Sequence, residues 1–198
     1  MIENDKPEII LCEGRSEIAY IQELGRLLYR SNSVSYTAAF FPCLIGGGDF
    51  NTVNKCFKAE RKKNRKDEFL IWVDRDLYIR NDKNCGDLYS QKANTLPKFF
   101  FSEMNFEDFL ILHCPDNVID QWICFCKKNN HFKVPMHSQI YEPEFKKIFP
   151  DYIKGNLPFE LTRARVETMI SNLQRYPIRN GFGEYLALLL KNGVLTFY

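Results

Sequence analysis

Short apolar runs alternate with amphipathic segments through the first half of the chain. Four such runs occupy residues 8–12, 36–45, 69–73 and 98–102. Continuous apolarity over so few residues is typical of strands that are covered on both faces, as in a parallel sheet. The pattern therefore predicts four strands of a mainly parallel sheet.

Helix signals fill the segments between these runs. Ser16 is predicted to cap a first helix that continues at the 3.6-residue period to residues 31–33. Asp49 is predicted to cap a second helix, and Asn105 a third over residues 106–113. A last strand is predicted at 194–198. Between Pro115 and that strand, helices are predicted to be broken at Pro135, Pro143, Pro150, Pro158 and Pro177.

Alternation of strands with helices predicts an α/β fold. We expect residues 1–114 to form the α/β core and residues 115–198 to form a helical C-terminal extension packed on the same domain. A length of 198 residues with 45% hydrophobic residues is enough for one core and leaves little room for two.

The charge balance restricts the kind of partner. The chain has 27 Lys and Arg against 25 Asp and Glu, a net charge of +2, so any affinity for nucleic acid must come from local clusters. The sequence contains neither a run of about 20 apolar residues nor the order of a signal peptide. We therefore expect a cytoplasmic protein with no membrane partner.

The seven cysteines are an odd number and are scattered, which favours reduced thiols over a disulfide framework. Cys124 and Cys126 lack the two-residue gap of a zinc knuckle. His113, His131 and His137 are too dispersed in sequence to form an evident ligand set, and His113 is expected to cap a helix end. We expect no zinc site.

Acidic residues follow two of the predicted strands. Glu13 comes directly after the first strand, and Asp74 and Asp76 follow the third. Carboxyl ends of parallel strands meet at one sheet edge, and clustered carboxylates without His or Cys favour Mg²⁺ or Mn²⁺. The alternative is that Glu13 only caps a helix and that the two aspartates only end a strand.

Two segments resemble known families. The segment ILCEGRSEIAYIQEL, with WVDRD downstream, is similar to the Toprim domain of topoisomerases, primases and small nucleases. The later segment FFFSEMNFEDFLILHC resembles a stretch of the RloB-like family, which is associated with restriction and abortive-infection loci in bacteria. Here Met104 and Asn105 replace an Asn-Pro of that stretch, and Phe109 stands near its Trp.

The resemblance implies a Rossmann-like domain of Toprim type with a four-stranded sheet and an Mg²⁺-dependent (or Mn²⁺-dependent) acidic site. Glu13 matches the family's catalytic glutamate, and Asp74 and Asp76 match its metal-binding pair. Glu107 matches an acid that would act as a further ligand or would orient one. Residues 152–154 are similar to a Tyr-x-Lys of the same family.

Cations near these acids are candidates for substrate binding. Arg15 and Arg75 lie beside the acids and either clamp a phosphate or neutralise the carboxylates. The predicted helix after Gly46-Gly47-Gly48 is rich in lysine, which is either a solvated face or a surface that follows a phosphate backbone. The glycines lack the Lys-Ser/Thr ending of a P-loop, so ATP hydrolysis is not expected. The remaining candidates for substrate binding are Lys55, Lys58, Lys62 and Lys154.

The expected function is that of an Mg²⁺-dependent Toprim nuclease, an endonuclease that hydrolyses phosphodiester bonds in DNA or RNA as an antiviral, phage-defence effector. Family association implies a regulatory partner, such as an ATPase, that holds the nuclease inactive. Assembly into a homo-oligomer is a further possibility that the sequence does not decide. The alternative is a non-catalytic Toprim-fold binding or sensor subunit of a defence complex. A primase-like nucleotidyl transferase is disfavoured because no zinc-binding or helicase-interacting region flanks the domain.

Overall fold

The computed structural model describes residues 8–30, 39–65, 68–75 and 98–198. The strands are β1 (Glu8–Cys12), β2 (Leu28–Arg30), β3 (Phe40–Leu44), β4 (Phe69–Asp74), β5 (Lys98–Ser102) and β6 (Leu195–Phe197). The helices are α1 (Arg15–Leu27), α2 (Phe50–Lys63), α3 (Phe106–Ile111), α4 (Asp116–Lys128), α5 (Ser138–Ile148), α6 (Arg163–Arg175) and α7 (Gly181–Lys191).

Four strands form one parallel sheet in the order β3-β1-β4-β5. The predicted α/β fold with a four-stranded parallel sheet and flanking helices is therefore confirmed. The chain runs from β1 to β3 on one side and then returns past β1 to β4 on the other. This reversal makes the gap between the carboxyl ends of β1 and β4 the place where a Rossmann-like sheet builds its ligand site.

Both faces of the sheet are covered, which explains the continuous apolar runs. Alternate residues of a strand point to opposite faces. Ile9 and Leu11 of β1 pack in one cluster with Phe50 and Val53 of α2, whereas Ile10 belongs to the larger core on the opposite face. The sheet is thus sandwiched between α2 and the remaining helices.

The larger core contains residues from both halves of the chain. Trp72 of β4 stacks on Phe182 of α7 with ring centroids 4.4 Å apart, and its edge meets Tyr20 of α1 and Phe109 of α3. Aromatic contacts of this kind add stability beyond the buried area. Residues after 114 are therefore packed against the α/β core and share its hydrophobic interior.

Three sequence predictions differ from the structure. Helix α1 begins after Gly14, so Ser16 lies in the first turn and is not the N-cap. The helix ends at Leu27 because the next three residues form β2, which pairs antiparallel with β6. Pro143 lies inside α5 and does not break it. A proline removes only one backbone hydrogen bond, and the buried Tyr141 and Phe145 hold this helix on the core.

The six described cysteines, all except Cys85, are free thiols, as the scattered spacing predicts. Of these, Cys12, Cys114 and Cys126 are buried. Among the described residues, no helix combines the length and apolarity that crossing a membrane requires.

Candidate active site

The carboxyl ends of β1 and β4 bring Glu13 and Asp74 together. The two strands are neighbours, and the ladder extends one step further because the Glu13 N–H donates to the Trp72 carbonyl at 3.1 Å. The Asp74 N–H in turn donates to Oε2 of Glu13 at 2.9 Å. The backbone of β4 therefore fixes the orientation of the Glu13 carboxylate.

Helix α3 fixes the second acid. The N–H of Phe106, at the first position of α3, donates to Oδ2 of Asp74 at 3.3 Å. Asn105 is the N-cap, as predicted, and its N–H donates to the Asp108 carboxylate at 3.1 Å. The carboxylates of Glu13 and Asp74 are thus each held by a backbone N–H group of a strand or a helix. A preorganised site requires this kind of support.

A cavity of about 290 Å³ lies at these strand ends. Its walls contain four acids and two cations, together with Tyr141 and the glycines at positions 14 and 155. The acids are Glu13, Glu17, Asp74 and Glu107, and the cations are Arg15 and Lys154. Predicted site residues from four separate parts of the chain therefore meet in one place.

Glu107 is the buried acid of the cavity. The hydroxyl of Tyr152 donates to its Oε1 at 2.9 Å, and Tyr141 also hydrogen-bonds to it. Burial raises the pKa of Glu107, and the Tyr152 hydrogen bond and the nearby Lys154 oppose that rise because both favour the ionised carboxylate. The two tyrosines come from the C-terminal half, so residues beyond 114 build part of the site.

Sequence analysis did not identify Glu17 as a site residue. Its side chain is buried, lines the cavity, and has a pKa raised to about 8 by burial and by the negative charges of Glu13 and Glu107. The sequence carries no evident signal for it, because Glu17 occupies the first turn of α1, where acidic residues are favoured whether or not they are buried. At neutral pH Glu17 therefore holds a proton amid three other carboxyl groups.

The glycine turn before α2 packs directly on Glu13. A Cβ placed on Gly48 would lie 2.5–2.7 Å from the atoms of the Glu13 carboxyl group, so a larger residue at this position would force that carboxyl group to move. The next residue, Asp49, caps α2 as predicted and accepts the N–H groups of Asn51 and Thr52 at 3.1 Å each. The lysine-rich helix therefore begins beside the cavity.

The other predicted residues lie at different places. Arg75 is exposed and forms an ion pair with Glu103, and it does not line the cavity. Asp76 lies outside the described residues. Lys55, Lys58 and Lys62 share one exposed face of α2. This face extends away from the cavity.

A second cluster of ligand-type side chains lies apart from the cavity lining. Asp108, Cys126 and His131 are buried, with ligand atoms within 4.8 Å of one another, so His131 is less isolated than its sequence position indicates. The Met136 N–H donates to Nδ1 of His131 at 2.9 Å, which places the ring proton on Nε2, 2.8 Å from Asp108. A ligating imidazole needs the opposite arrangement, with its free nitrogen toward the metal.

This cluster is therefore described better as a hydrogen-bonded network that anchors α3. Trp122 donates to Oδ1 of Asp108 at 2.7 Å, and His131 occupies Oδ2. Asp108 follows Glu107 directly, so fixing Asp108 also fixes the helix turn that presents Glu107 to the cavity.

The donor set of the cavity fits a hard divalent cation. Glu13, Asp74 and Glu107 offer carboxylate oxygens, and none of the His or Cys residues that the structure describes lines the cavity. The pKa of Glu17 is raised first by burial and then by the negative charges of Glu13 and Glu107, and a cation in the cavity would offset those charges.

Comparisons of the chain with protein-family models, with curated proteins and with solved structures find no match.

Proposed function

We propose that the protein is an Mg²⁺-dependent nuclease of Toprim type that hydrolyses phosphodiester bonds in DNA or RNA. The observation that supports this most is the meeting of Glu13, Asp74 and Glu107 in one cavity at adjacent parallel strand ends. Arg15 and Lys154 add positive charge to the same walls, which suits a phosphate group.

In this proposal Glu13 and Asp74 hold the cation, and Glu107 is a further ligand or orients one. A bound Mg²⁺ would supply charge stabilisation at the phosphate and would lower the pKa of a water molecule. The chain's own groups supply the positioning: the Asp74 N–H holds Glu13, and the Phe106 N–H holds Asp74. Arg15 and Lys154 bind phosphate oxygens and orient the substrate at the mouth of the cavity.

The exposed lysine face of α2 extends the proposed substrate path. Lys55, Lys58 and Lys62 have no ion-pair partner among the described residues, and the face from Lys55 to Lys62 is about 10 Å long at the helical rise of ~1.5 Å per residue. Exposed lysines on a helix that begins next to the cavity are suited to contact with a phosphate backbone. Nucleic acid is thus the proposed substrate.

The cellular role rests on the resemblance to Toprim and RloB-like sequences. We propose a cytoplasmic phage-defence effector of the abortive-infection kind, controlled by a regulatory partner such as an ATPase. A screen for partners encoded nearby, followed by reconstitution with the purified nuclease, tests that control.

Cleavage of labelled plasmid DNA and of total tRNA tests the proposed activity. Purified protein should cut at least one of them with Mg²⁺ or Mn²⁺ and neither with EDTA. Glu13→Gln and Asp74→Asn should lose at least ~100-fold in rate, since removal of even an outer-shell group of a metal site commonly costs 10–100-fold. Glu13→Gln retains an oxygen that can accept the Asp74 N–H, so the fold should persist.

Glu167→Gln is the matched control because this exposed acid pairs with Arg163 and does not line the cavity. It should cleave at the parental rate. Cleavage that survives in both cavity variants would contradict the nuclease assignment. Metal-dependent binding of nucleic acid without cleavage would instead favour a binding or sensor subunit.

A further inference from the structure

The turn at residues 152–155 joins the C-terminal half to the acidic cavity at both of its ends. At one end the Tyr152 hydroxyl donates to Glu107 at 2.9 Å. At the other end the Gly155 N–H donates to the hydroxyl oxygen of Ser16 at 3.0 Å, in the first turn of α1. The turn is therefore attached to two different walls of the cavity.

Burial differs sharply along the turn. Tyr152 is buried and its ring meets Phe145 edge-on at 4.7 Å, whereas Ile153 is 66% exposed and Lys154 is exposed. The middle of the turn thus contributes little to the core. The turn instead holds the phenol of Tyr152 against Glu107 and the ammonium group of Lys154 at the cavity wall.

The backbone is specialised for this path. Gly155 has φ +100°, a conformation that side-chain-bearing residues rarely adopt, and a Cβ there would lie 3.4 Å from Cβ of Arg15. The turn therefore closes tightly on the residue that begins α1. Lys154 directly precedes Gly155 and, like Arg15, lines the cavity.

We propose that the turn at residues 152–155 couples the two halves of the site: Tyr152 is a positioning residue that orients Glu107, and the turn it anchors holds Lys154 as the group that binds the substrate phosphate. The role of Lys154 rests on the proposed function. The positioning of Glu107 by Tyr152 does not, because it is a contact within the folded chain.

The coupling predicts different effects for two substitutions. Tyr152→Phe removes only the hydroxyl, so Glu107 loses a hydrogen bond to its ionised form, and both its orientation and the anchorage of Lys154 are weakened. Lys154→Gln removes the ammonium group but leaves the Tyr152–Glu107 contact in place. The first substitution should impair cation and phosphate binding together, and the second should impair phosphate binding alone.

Three measurements on the full chain test this pattern. The first is the pKa of Glu107 from ¹³C-carboxyl NMR, assigned with Glu107→Gln. The second is Mn²⁺ affinity from the EPR signal of free Mn²⁺. The third is anisotropy of a fluorescein-labelled oligothymidylate, with Ca²⁺ in place of Mg²⁺.

Tyr20→Phe is the matched control, because it also removes a buried phenol hydroxyl, one that lies 3.0 Å from Nε2 of His113. Unfolding in urea reports any general loss of stability, which Tyr20→Phe and Tyr152→Phe should share.

We expect Tyr152→Phe to raise the pKa of Glu107 and to weaken both Mn²⁺ and oligonucleotide binding about tenfold, the usual scale for a hydrogen bond to a charged group. Lys154→Gln should weaken oligonucleotide binding about tenfold without weakening Mn²⁺ binding, because it removes a positive charge from the walls of the cavity. Tyr20→Phe should leave all three measurements at parental values.

A Glu107 pKa and a Mn²⁺ affinity that stay unchanged in Tyr152→Phe would overturn the positioning role. Equal loss of Mn²⁺ affinity in Tyr20→Phe would overturn it too, because the effect would then be general destabilisation. A parent protein that binds no oligonucleotide would overturn the role of Lys154 and contradict the proposed function, but the NMR measurement would still test Tyr152.

Discussion

The backbone N–H of Asp74 donates to Oε2 of Glu13 at 2.9 Å, across 61 positions of sequence. This contact follows from the register of β1 and β4, in which Cys12 lies opposite Trp72, so that Glu13 comes one residue after this pair on β1 and Asp74 two residues after it on β4. The two acids are therefore placed by main-chain pairing. Each can be altered chemically while the strands that position it remain.

Gly48 offers a way to displace Glu13 without changing any acid. Gly48→Ala would put a methyl group 2.5–2.7 Å from the Glu13 carboxyl atoms, so the carboxylate must move. We expect cation affinity to fall at least about tenfold, with cleavage falling in proportion, while the fold is retained. Mn²⁺ titration and the tRNA and plasmid assays measure the change.

Gly47→Ala is the control for this substitution, because a Cβ at Gly47 meets its nearest atoms at ordinary contact distances of 3.7 and 3.8 Å. It should bind Mn²⁺ as the parent does. Equal losses in both variants would mean that the turn needs glycine for its backbone and that contact with Glu13 is irrelevant.

Glu17 should make the protein less stable as the pH rises from about 6.5 to 8. Its pKa is raised from 4.5 to about 8 in the folded state, so the native protein keeps a proton that the unfolded chain releases. The stabilisation is complete below about pH 4.5 and is lost as the pH rises through 8, with a slope of about 1.4 kcal/mol per pH unit. Urea unfolding in EDTA measures this slope.

Glu17→Gln should flatten that dependence, whereas Glu160→Gln, at an exposed position, should leave it as in the parent. The interpretation of Glu17 as a buried, protonated acid fails if parent and Glu17→Gln lose stability equally over this pH range.

His113 should act in the opposite direction at acid pH. Burial lowers its pKa from 6.5 to about 3, so the unfolded chain binds a proton that the native protein does not. Its contribution to stability is present above pH 6.5 and declines as the pH falls toward 3, by about 1.4 kcal/mol per pH unit. His113→Gln should be less stable than the parent at pH 7, because the contact with Tyr20 is altered.

The stability gap between parent and His113→Gln should narrow as the pH falls from 6.5 to 5. Chemical denaturation at both pH values gives the two gaps. A constant gap would show that His113 takes up its proton in the folded state as readily as in the unfolded chain.

The α2 lysine face should determine the salt dependence of nucleic-acid binding. Each phosphate contact adds about 0.7–0.9 to the slope of log affinity against log salt. Substitution of Lys55, Lys58 and Lys62 by Gln should therefore reduce the magnitude of that slope by about 2 to 3. Oligonucleotide anisotropy at salt concentrations from about 50 to about 300 mM measures the slope.

A charge-matched control replaces Lys127, Lys128 and Lys133, which are exposed around the C-terminal end of α4. The control should retain the parental slope. If both triple variants lose the same slope, the lysines act through net charge and α2 is not a specific binding face.

Local signals in the sequence were sufficient for much of the sheet and for one helix. The run at 98–102 coincides with β5, and Asp49 caps α2 as its position predicts. The acids Glu13 and Asp74 were also identifiable, because a carboxylate directly after a buried strand needs a special environment. These features depend on residues that are close together in the chain.

Features that depend on distant partners were missed. The β2 strand exists because residues 195–197 pair with it, so the helical pattern before it extends too far in a sequence-based prediction. His131 meets Asp108 through a turn whose geometry the sequence does not specify. Glu17 lies in the first turn of α1, and its burial at the cavity is evident only from the folded chain.

Binding of Mn²⁺, followed by EPR, shows without any substrate whether the cavity acids hold a cation. We expect the parent protein and Glu167→Gln to bind Mn²⁺ with equal affinity. The double variant Glu13→Gln, Asp74→Asn should lose at least ~10-fold in affinity while its circular dichroism is unchanged. A folded double variant that binds Mn²⁺ as tightly as the parent would show that these acids do not form the cation site.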